Sequence, residues 1–225
     1  MTRSPDLERI GGLAALVCAA TYMVGFALLV TVLAPLGYGS IDIDPSSVVA
    51  FIDEHPGVLI AWNTTIYVVN ALALAVLVAA MSRRLTRATP GWAQVVRGLG
   101  LIWAALVLGA GMIANVAVER AAHVYATDPG AAADLWAILH SVELGLGGGN
   151  EIAGGAWILC VSLAGLAGRS LPRSVGALGL VTGLGGLATV VPALGDAAGA
   201  VFGLGAIAWF IAVGLSLPPG RHAAA

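Results

Sequence analysis

Six apolar runs, each about 20 residues long, constrain the fold of this chain more than any other feature. They cover residues 12–35, 57–81, 98–118, 144–168, 174–195 and 197–217. A run of about 18 or more apolar residues can cross the hydrocarbon core of a bilayer as an α-helix. Only 10% of the residues are charged, against about 25% in soluble domains. We therefore predict one all-α domain over residues 1–225, a polytopic membrane protein with six transmembrane helices.

The arginines indicate how such a bundle would be oriented. The chain has no lysine, and nine of its ten arginines fall on one side of a six-span arrangement, with only Arg120 on the other. Loops rich in basic residues stay in the cytoplasm, so we expect both termini there. The first run is too long for a signal-peptide core, and we expect it to be retained. The nine arginines are Arg3, Arg9, Arg83, Arg84, Arg87, Arg97, Arg169, Arg173 and Arg221.

The absence of lysine also excludes several kinds of chemistry. A lysine Schiff base and a phosphate-loop lysine cannot form, and the sequence has no redox, haem or nucleotide motif. We expect no cofactor. The arginine-bearing loops are short and are explained by topology, so they give no support for nucleic-acid binding. Cys18 and Cys160 both lie in apolar runs and are expected to be small apolar residues rather than a disulfide.

The segment between the first two runs predicts a short helix. Asp44 can cap a helix that begins at Pro45, and Pro56 can stop it. Val48, Val49, Phe51 and Ile52 would form one apolar face. We predict a helix over 45–54 that lies on the outer membrane surface. A solvated loop is the alternative, because ten residues are marginal for a helix.

The fourth span is predicted to be broken by glycines. From Arg97 to Asp128 the chain takes 31 residues, but from Asp128 to Gly168 it takes 40. The excess is about 14 Å of helix, which two straight antiparallel helices cannot absorb. The glycines at 145–149 favour a break between an outer helix (130–143) and the true span (150–168). Alternatively, these glycines simply allow close packing, as we expect for Gly154/Gly155, for the glycines of span five and for Gly203/Gly205. Pro192 is expected to kink span five.

Polar residues within the apolar runs cluster in their outer half. Glu151 and Asn115 lie about 26–27 Å above the cytoplasmic boundary if the helices are straight. Span two has one polar helical face, formed by Asn63, Tyr67 and Asn70. A second shared face, on a continuous helix, is formed by His140, Glu143 and Asn150. Together they predict a polar pocket that opens towards the outside. Its substrate-binding residues would be Asn63, Tyr67, Asn70, Asn115 and Asn150.

The ionisable residues of this pocket are the catalytic candidates. Ionisable groups at membrane depth are costly and often functional, and burial moves a carboxylic acid towards the range useful for proton transfer. Glu151 would be the acid or base, with Glu143 or His140 as its partner. The alternative is that the glutamates only fix helix packing. A second alternative, a metal site formed by His140, Glu143, Glu119 and His123, is weaker because these residues could all lie in water, and we expect no metal.

Four segments carry a resemblance: residues 112–116, 145–157, 191–194 and 199–205, of which the Gly-Gly-Asn-Glu motif at 148–151 is the most distinctive. Together they resemble a family of small bacterial integral membrane proteins that is known only as a domain of unknown function. The resemblance covers most of the chain. It implies six spans and a bacterial cytoplasmic (inner) membrane, and it supplies no reaction, cofactor or catalytic residue.

Three functions are compatible with these patterns. The first is an intramembrane acid–base enzyme, such as a cyclase, isomerase or hydrolase, that acts on a lipophilic small molecule. The second is a non-catalytic membrane subunit or ligand sensor. The third is a proton-coupled small-molecule transporter, although the inner half is nearly free of polar residues. The expected partners are the lipid bilayer and a lipophilic small molecule. Assembly into a homo-oligomer is an alternative that the sequence leaves undecided.

Overall fold

A computed structural model describes residues 7–38 and 43–217, and all the regular structure in these residues is helical. The all-α fold class is confirmed. The α-helices are α1 (Leu7–Leu28), α2 (Pro45–Glu54), α3 (Pro56–Asn63), α4 (Asn70–Leu85), α5 (Pro90–Tyr125), α6 (Pro129–Ala167), α7 (Arg173–Ala188) and α8 (Gly195–Ser216). Two π-helical segments, Leu29–Leu33 and Thr64–Val69, follow α1 and α3, and a 3₁₀ turn, Ala34–Leu36, continues the first of them.

Five helical stretches of the described chain are long and apolar enough to cross a membrane. The sequence predicted six, and the difference is α7, which is apolar but has only 16 residues. At about 1.5 Å per residue, α7 is roughly 24 Å long, less than the roughly 30 Å of a hydrocarbon core. The five stretches are Leu7–Leu36, Gly57–Leu85, Pro90–Tyr125, Pro129–Ala167 and Ala197–Ser216.

The end of α7 corrects the expected role of Pro192. The helix ends at Ala188, and Pro192 begins a 3₁₀ turn, Pro192–Leu194, that leads into α8. Pro192 therefore does not kink a longer helix, because α7 has already ended four residues before it. A proline lacks the N–H that a continuing helix needs. The topology prediction also used Arg3 and Arg221, which lie outside the described residues.

The break predicted within span four is not present in the described backbone, where α6 is one helix from Pro129 to Ala167. The length argument failed because it counted from Arg97. The preceding helix, α5, begins seven residues earlier at Pro90, so the two helices contain 36 and 39 residues. Their lengths nearly match, and no break is needed to reconcile them.

The short helix predicted at 45–54 is confirmed as α2 (Pro45–Glu54). The Asp44 carboxylate accepts hydrogen bonds from the backbone N–H groups of Ser46 (3.1 Å) and Ser47 (3.2 Å), as a helix N-cap does. Its apolar face packs on protein, since Val48, Val49 and Ile52 are at most 1% exposed. The covering residues include Leu33, Leu59, Trp62, Ala121 and Trp136. This face is therefore part of a protein core, and lipid does not cover it.

The chain divides into two compact units, which we describe separately. Unit 1 comprises Met1–Ala20, Leu72–Ala105 and Gly149–Ala225, and unit 2 comprises Thr21–Ala71 and Leu106–Gly148. A single domain over residues 1–225 stays a prediction. The α2 core described above belongs to unit 2.

Helices of unit 1 approach one another through glycines. A Cβ atom on Gly155 of α6 would lie 2.8 Å from the carbonyl oxygen of Gly183 on α7, and one on Gly183 would lie 2.8 Å from that of Gly155. Gly205 of α8 leaves room in the same way for Thr182. Small residues let membrane helices approach closely, and the packing role predicted for these three glycines is confirmed.

Candidate functional site: a buried carboxylate in unit 2

Unit 2 contains a buried ionisable group, the carboxylate of Glu143 on α6. The hydroxyl of Tyr67 donates a hydrogen bond of 2.5 Å to Oε1, and His140 Nδ1 lies 2.9 Å from Oε2. Glu143 is only 5% exposed. An ionised carboxylate can only accept hydrogen bonds, so with Glu143 ionised it is Nδ1 of His140 that carries the hydrogen. Each carboxylate oxygen then has its own donor.

The two donors reach Glu143 by different routes. His140 and Glu143 are three residues apart on α6, a spacing that places side chains side by side on a helix. Tyr67 is 76 residues away in sequence, in the π-helical segment Thr64–Val69. π-Helical turns are rare and often occur at functional sites. This turn also means that Asn63, Tyr67 and Asn70 do not follow the α-helical spacing from which a common face was predicted.

A glycine on α5 allows Tyr67 to approach. A Cβ atom on Gly111 would overlap the Cβ atom of Tyr67 and would lie 3.1 Å from its Cγ. One turn further along α5, the Asn115 amide donates a hydrogen bond of 3.1 Å to the Thr64 hydroxyl. Gly111 and Asn115 thus face the π-helical segment, and Gly111 brings Tyr67 close to α5.

Two aromatic rings contact His140. The imidazole stacks on Trp136, with ring centroids 4.5 Å apart and planes inclined by 19°, and Tyr38 meets it edge-on at 5.9 Å. Tyr38 also meets the rings of Trp62 and Trp136 edge-on, at 5.6 and 6.0 Å. Edge-to-face and stacked contacts at these distances stabilise ring positions. We call Tyr38, Trp62 and Trp136 the aromatic cage.

Tyr38 stays uncharged in this environment. Burial raises the pKa of its phenol far above its usual value, and the nearby negative charge of Glu143 raises that pKa further. The phenol is therefore a neutral hydroxyl at physiological pH. One tryptophan of the cage, Trp62, donates a hydrogen bond of 3.3 Å from Nε1 to the carbonyl oxygen of Gly25.

The predicted substrate-binding asparagines mostly connect helices. The buried Asn70 donates a hydrogen bond of 2.7 Å to the Thr21 hydroxyl, and Asn63 is also buried. Asn115 is bonded to Thr64, but its Oδ1 atom is buried without a partner among the described residues. The side chain of Asn150 lies outside what the structure describes.

Glu151, the leading catalytic candidate from the sequence, belongs to unit 1. It is half-buried on α6, and Gly199 leaves space beside its carboxylate, since a Cβ atom there would lie 3.7 Å from Oε1. In the part of the chain that the structure describes, Glu151 makes no hydrogen bond or ion pair. Its catalytic role stays a prediction.

The four residues considered for a metal site do not form one cluster. His140 and Glu143 bond to each other, whereas Glu119 and His123 are exposed on α5. Among residues 7–38 and 43–217, no group of three or more His, Cys, Asp or Glu side chains is arranged to hold a metal ion.

Sequence reasoning missed the aromatic cage and Gly111. Trp62 and Trp136 are both buried. Trp136 and His140 are four residues apart and share a helix face, a spacing that could have indicated their stacking. Nothing local in the sequence indicates that Gly111 faces Tyr67.

The helices and this site define the class of the protein. The long apolar helices are those of a multi-pass helical membrane protein. No protein-family model, curated protein or solved structure matches the chain. Its function must therefore be argued from its own residues.

Proposed function

We propose that this protein is a six-span protein of the bacterial cytoplasmic membrane that performs acid–base chemistry on a lipophilic small molecule. We place the reaction at His140, Glu143 and Tyr67. The family of small bacterial membrane proteins that the sequence resembles is the one to which we assign the chain. One observation carries the functional proposal: a buried carboxylate has a tyrosine on one oxygen and a histidine on the other.

In this arrangement His140 is the acid–base residue and Glu143 is its positioning residue. The carboxylate holds Nδ1–H, which leaves Nε2 as the basic nitrogen and fixes the direction of the ring. Stacking on Trp136 limits rotation of the imidazole. Nε2 can then take a proton from a bound molecule and return it to another atom of that molecule. Tyr67 holds the other oxygen of Glu143 and so fixes the direction of the carboxylate.

The cage defines the kind of molecule that fits. Its rings are largely apolar, and the surrounding helices present leucine, valine and alanine, so an apolar compound is favoured over a sugar or a nucleotide. Small-molecule sites usually combine such apolar walls with a few placed polar groups. The Tyr38 hydroxyl and the His140 ring are the polar groups available here.

Deuterium transfer provides a test that does not depend on the identity of the substrate. Purified protein is incubated in D₂O with a bacterial lipid extract, and mass spectrometry follows deuterium uptake and new species. We expect a compound that changes with wild type and is at least tenfold slower to change with His140→Gln, because general acid–base groups contribute about 10²–10⁴-fold. The matched control is His123→Gln, an exposed histidine on α5. Equal activity in both variants would refute the acid–base role.

The six-span topology has its own test. We propose α7 as the sixth crossing, with Arg169 and Arg173 at its cytoplasmic end and a bilayer thinned locally around it. Six crossings place both termini on one side, whereas five place them on opposite sides. Reporter fusions at the two ends that work only in the cytoplasm or only outside it distinguish these cases.

A non-catalytic subunit or ligand sensor is the second candidate. It is favoured by the fact that Tyr67, Glu143 and His140 satisfy one another's hydrogen bonds, so a purely structural network needs no ligand. In that case His140→Gln would lower stability without changing any compound in the deuterium experiment.

A further inference from the structure

Unit 1 contains four buried polar groups that have no hydrogen-bond partner among the described residues, and three of them lie within helices. These three are the indole N–H groups of Trp157 and Trp209 and the hydroxyl of Ser162, and the fourth is the hydroxyl of Ser170 in the turn after α6. The three helical residues are 0% exposed. Buried indole N–H groups usually find a partner, and a buried polar atom without one is costly. A hydrogen-bonding site is therefore concentrated here, outside the unit that holds Glu143.

Other residues of the same chain show what these groups would ordinarily do. Several serine and threonine hydroxyls in or next to helices donate to a carbonyl three or four residues earlier, and Ser162 does not. Likewise Trp62 donates to Gly25, whereas Trp157 and Trp209 have no such acceptor among the described residues. The back-bonded hydroxyls are those of Thr31, Thr65, Thr86, Thr89, Ser141, Thr182, Thr189 and Ser216.

Two of the groups converge on one glycine. A Cβ atom on Gly179 of α7 would overlap Ser162 Oγ and would lie 2.5 Å from Trp209 Nε1. Both atoms thus lie within 2.5 Å of one point, so they are at most about 5 Å apart. Two hydrogen bonds of about 2.8–3.0 Å can span that separation through one oxygen atom. The absence of a side chain at Gly179 brings α6 and α8 together at this spot.

The third group lies beside them. Trp157 meets Trp209 edge-on, with ring centroids 5.5 Å apart. Its Nε1 atom lies 2.5 Å from the position that a Cβ atom on Gly100 would take. Each indole N–H group thus lies beside a glycine of a neighbouring helix, Gly179 for Trp209 and Gly100 for Trp157.

We propose that Ser162 and Trp209 bind one buried oxygen atom in unit 1, with Trp157 as a second indole donor beside it. An indole N–H can only donate, and a serine hydroxyl can donate or accept. The bound atom must therefore accept from Trp209. A water molecule has this chemistry, and so does the carbonyl oxygen of a lipid acyl chain. The proposal is independent of the acid–base site.

The test is nuclear magnetic resonance of the full-length protein, labelled with ¹⁵N-tryptophan, in nanodiscs made of lipid with ¹³C-labelled acyl carbonyls. The variants Trp157→Phe and Trp209→Phe assign the two indole signals. We expect the Trp209 indole proton to show a cross peak to water or to the lipid carbonyl carbon, and these two results identify the occupant. Ser162→Ala should abolish that cross peak, and Ser141→Ala, an exposed back-bonded serine on the same helix, should leave it intact.

Two results would overturn the proposal. One is a Trp209 indole proton that shows neither cross peak in wild type. The other is a cross peak that survives Ser162→Ala unchanged, because the oxygen would then not be shared with Ser162. Should Trp209→Phe fail to fold, the signal is assigned from Trp157→Phe by elimination against the four other tryptophans, each replaced singly.

Discussion

In unit 2, buried polar side chains of different helices bond to each other, whereas in unit 1 the helices approach through glycines and leave polar groups without protein partners. Glu143 in unit 2 has a donor on each oxygen, and Asn70 is bonded to Thr21. In unit 1, Gly155 and Gly183 bring backbones into contact, and Ser162 and Trp209 stay unbonded to the described residues. At these sites, hydrogen bonds between side chains join helices of unit 2, whereas missing side chains let helix backbones of unit 1 meet.

The largest effect is expected where two backbones touch. Gly155→Ala places a Cβ atom 2.8 Å from the Gly183 carbonyl oxygen and 2.9 Å from Gly186 backbone carbons, and a helix backbone cannot rotate away as a side chain can. We expect a loss of about 3 kcal/mol in the free energy of unfolding, the upper end for overpacked cores. Thermal unfolding in one detergent measures it.

The control for this variant is Gly145→Ala on the same helix, where no atom lies within 4 Å of the added Cβ. Alanine is the better helix former by up to about 1 kcal/mol, so this change should be neutral or stabilising. Equal losses in both variants would refute the difference between the two positions.

A somewhat smaller loss, about 2 kcal/mol, is expected for Gly111→Ala in unit 2. The added Cβ overlaps that of Tyr67 and pushes the tyrosine away from Glu143. Gly109→Ala on the same helix is the control, because its nearest neighbour, Leu146 Cδ1, would be at an ordinary 3.7 Å. Unfolding midpoints of both variants are compared with wild type. If Gly109→Ala is as damaging as Gly111→Ala, Gly111 has no special role.

Removing only the Tyr67 hydroxyl should cost about 1.5 kcal/mol, the lower end for a hydrogen bond to a charged group. Tyr67→Phe keeps the ring and loses the donor to Glu143 Oε1. Combined with Gly111→Ala, it should cost less than the sum of the two single changes, because both break the same bond. Tyr125→Phe, a partly buried tyrosine of the α2 core, is the control. If the stability losses of Tyr67→Phe and Gly111→Ala simply add, the two changes do not act on the same hydrogen bond.

The smallest effect is pH-dependent and lies at the start of α2. Hydrogen bonds from the Ser47 hydroxyl and from the backbone of Ser46 and Ser47 lower the pKa of Asp44 below its ordinary 3.8. A lowered pKa in the folded state means that the cap stabilises fully above that ordinary pKa and loses its effect as the pH falls through the folded-state value.

Asp44→Asn is the variant that tests this cap, because asparagine can also cap a helix but cannot titrate. Wild type should lose stability relative to Asp44→Asn on acidification below about pH 4. Unfolding midpoints between pH 7 and pH 3 measure this difference. A constant difference over that range would show that the Asp44 charge does not stabilise α2.

The sequence predicted those features that depend on local signals. The α2 helix followed from Asp44, Pro45 and Pro56, and the pairing of His140 with Glu143 followed from their spacing. The bond between Tyr67 and Glu143 could not be predicted, because it joins residues 76 positions apart and depends on a glycine on a third helix.

The errors came from assuming regular α-helices between charged boundaries. Arg97 was used as the start of span three, but α5 begins at Pro90, and this offset produced the predicted break. The shared face of Asn63, Tyr67 and Asn70 assumed α-helical spacing, whereas a π-helical segment lies between them. Charge marks where a helix can leave the membrane, and the helix itself can continue beyond that point.

The most direct measurement is ¹⁵N nuclear magnetic resonance of histidine-labelled protein at a pH where the His140 ring is neutral. His140 is assigned by its loss in His140→Gln. We expect the proton to be on Nδ1, held by Glu143, and we expect Glu143→Leu to remove this preference in favour of the Nε2–H form common in water. A ring protonated on Nε2 in wild type, or one unchanged by Glu143→Leu, would contradict the claim that Glu143 orients His140 for acid–base chemistry.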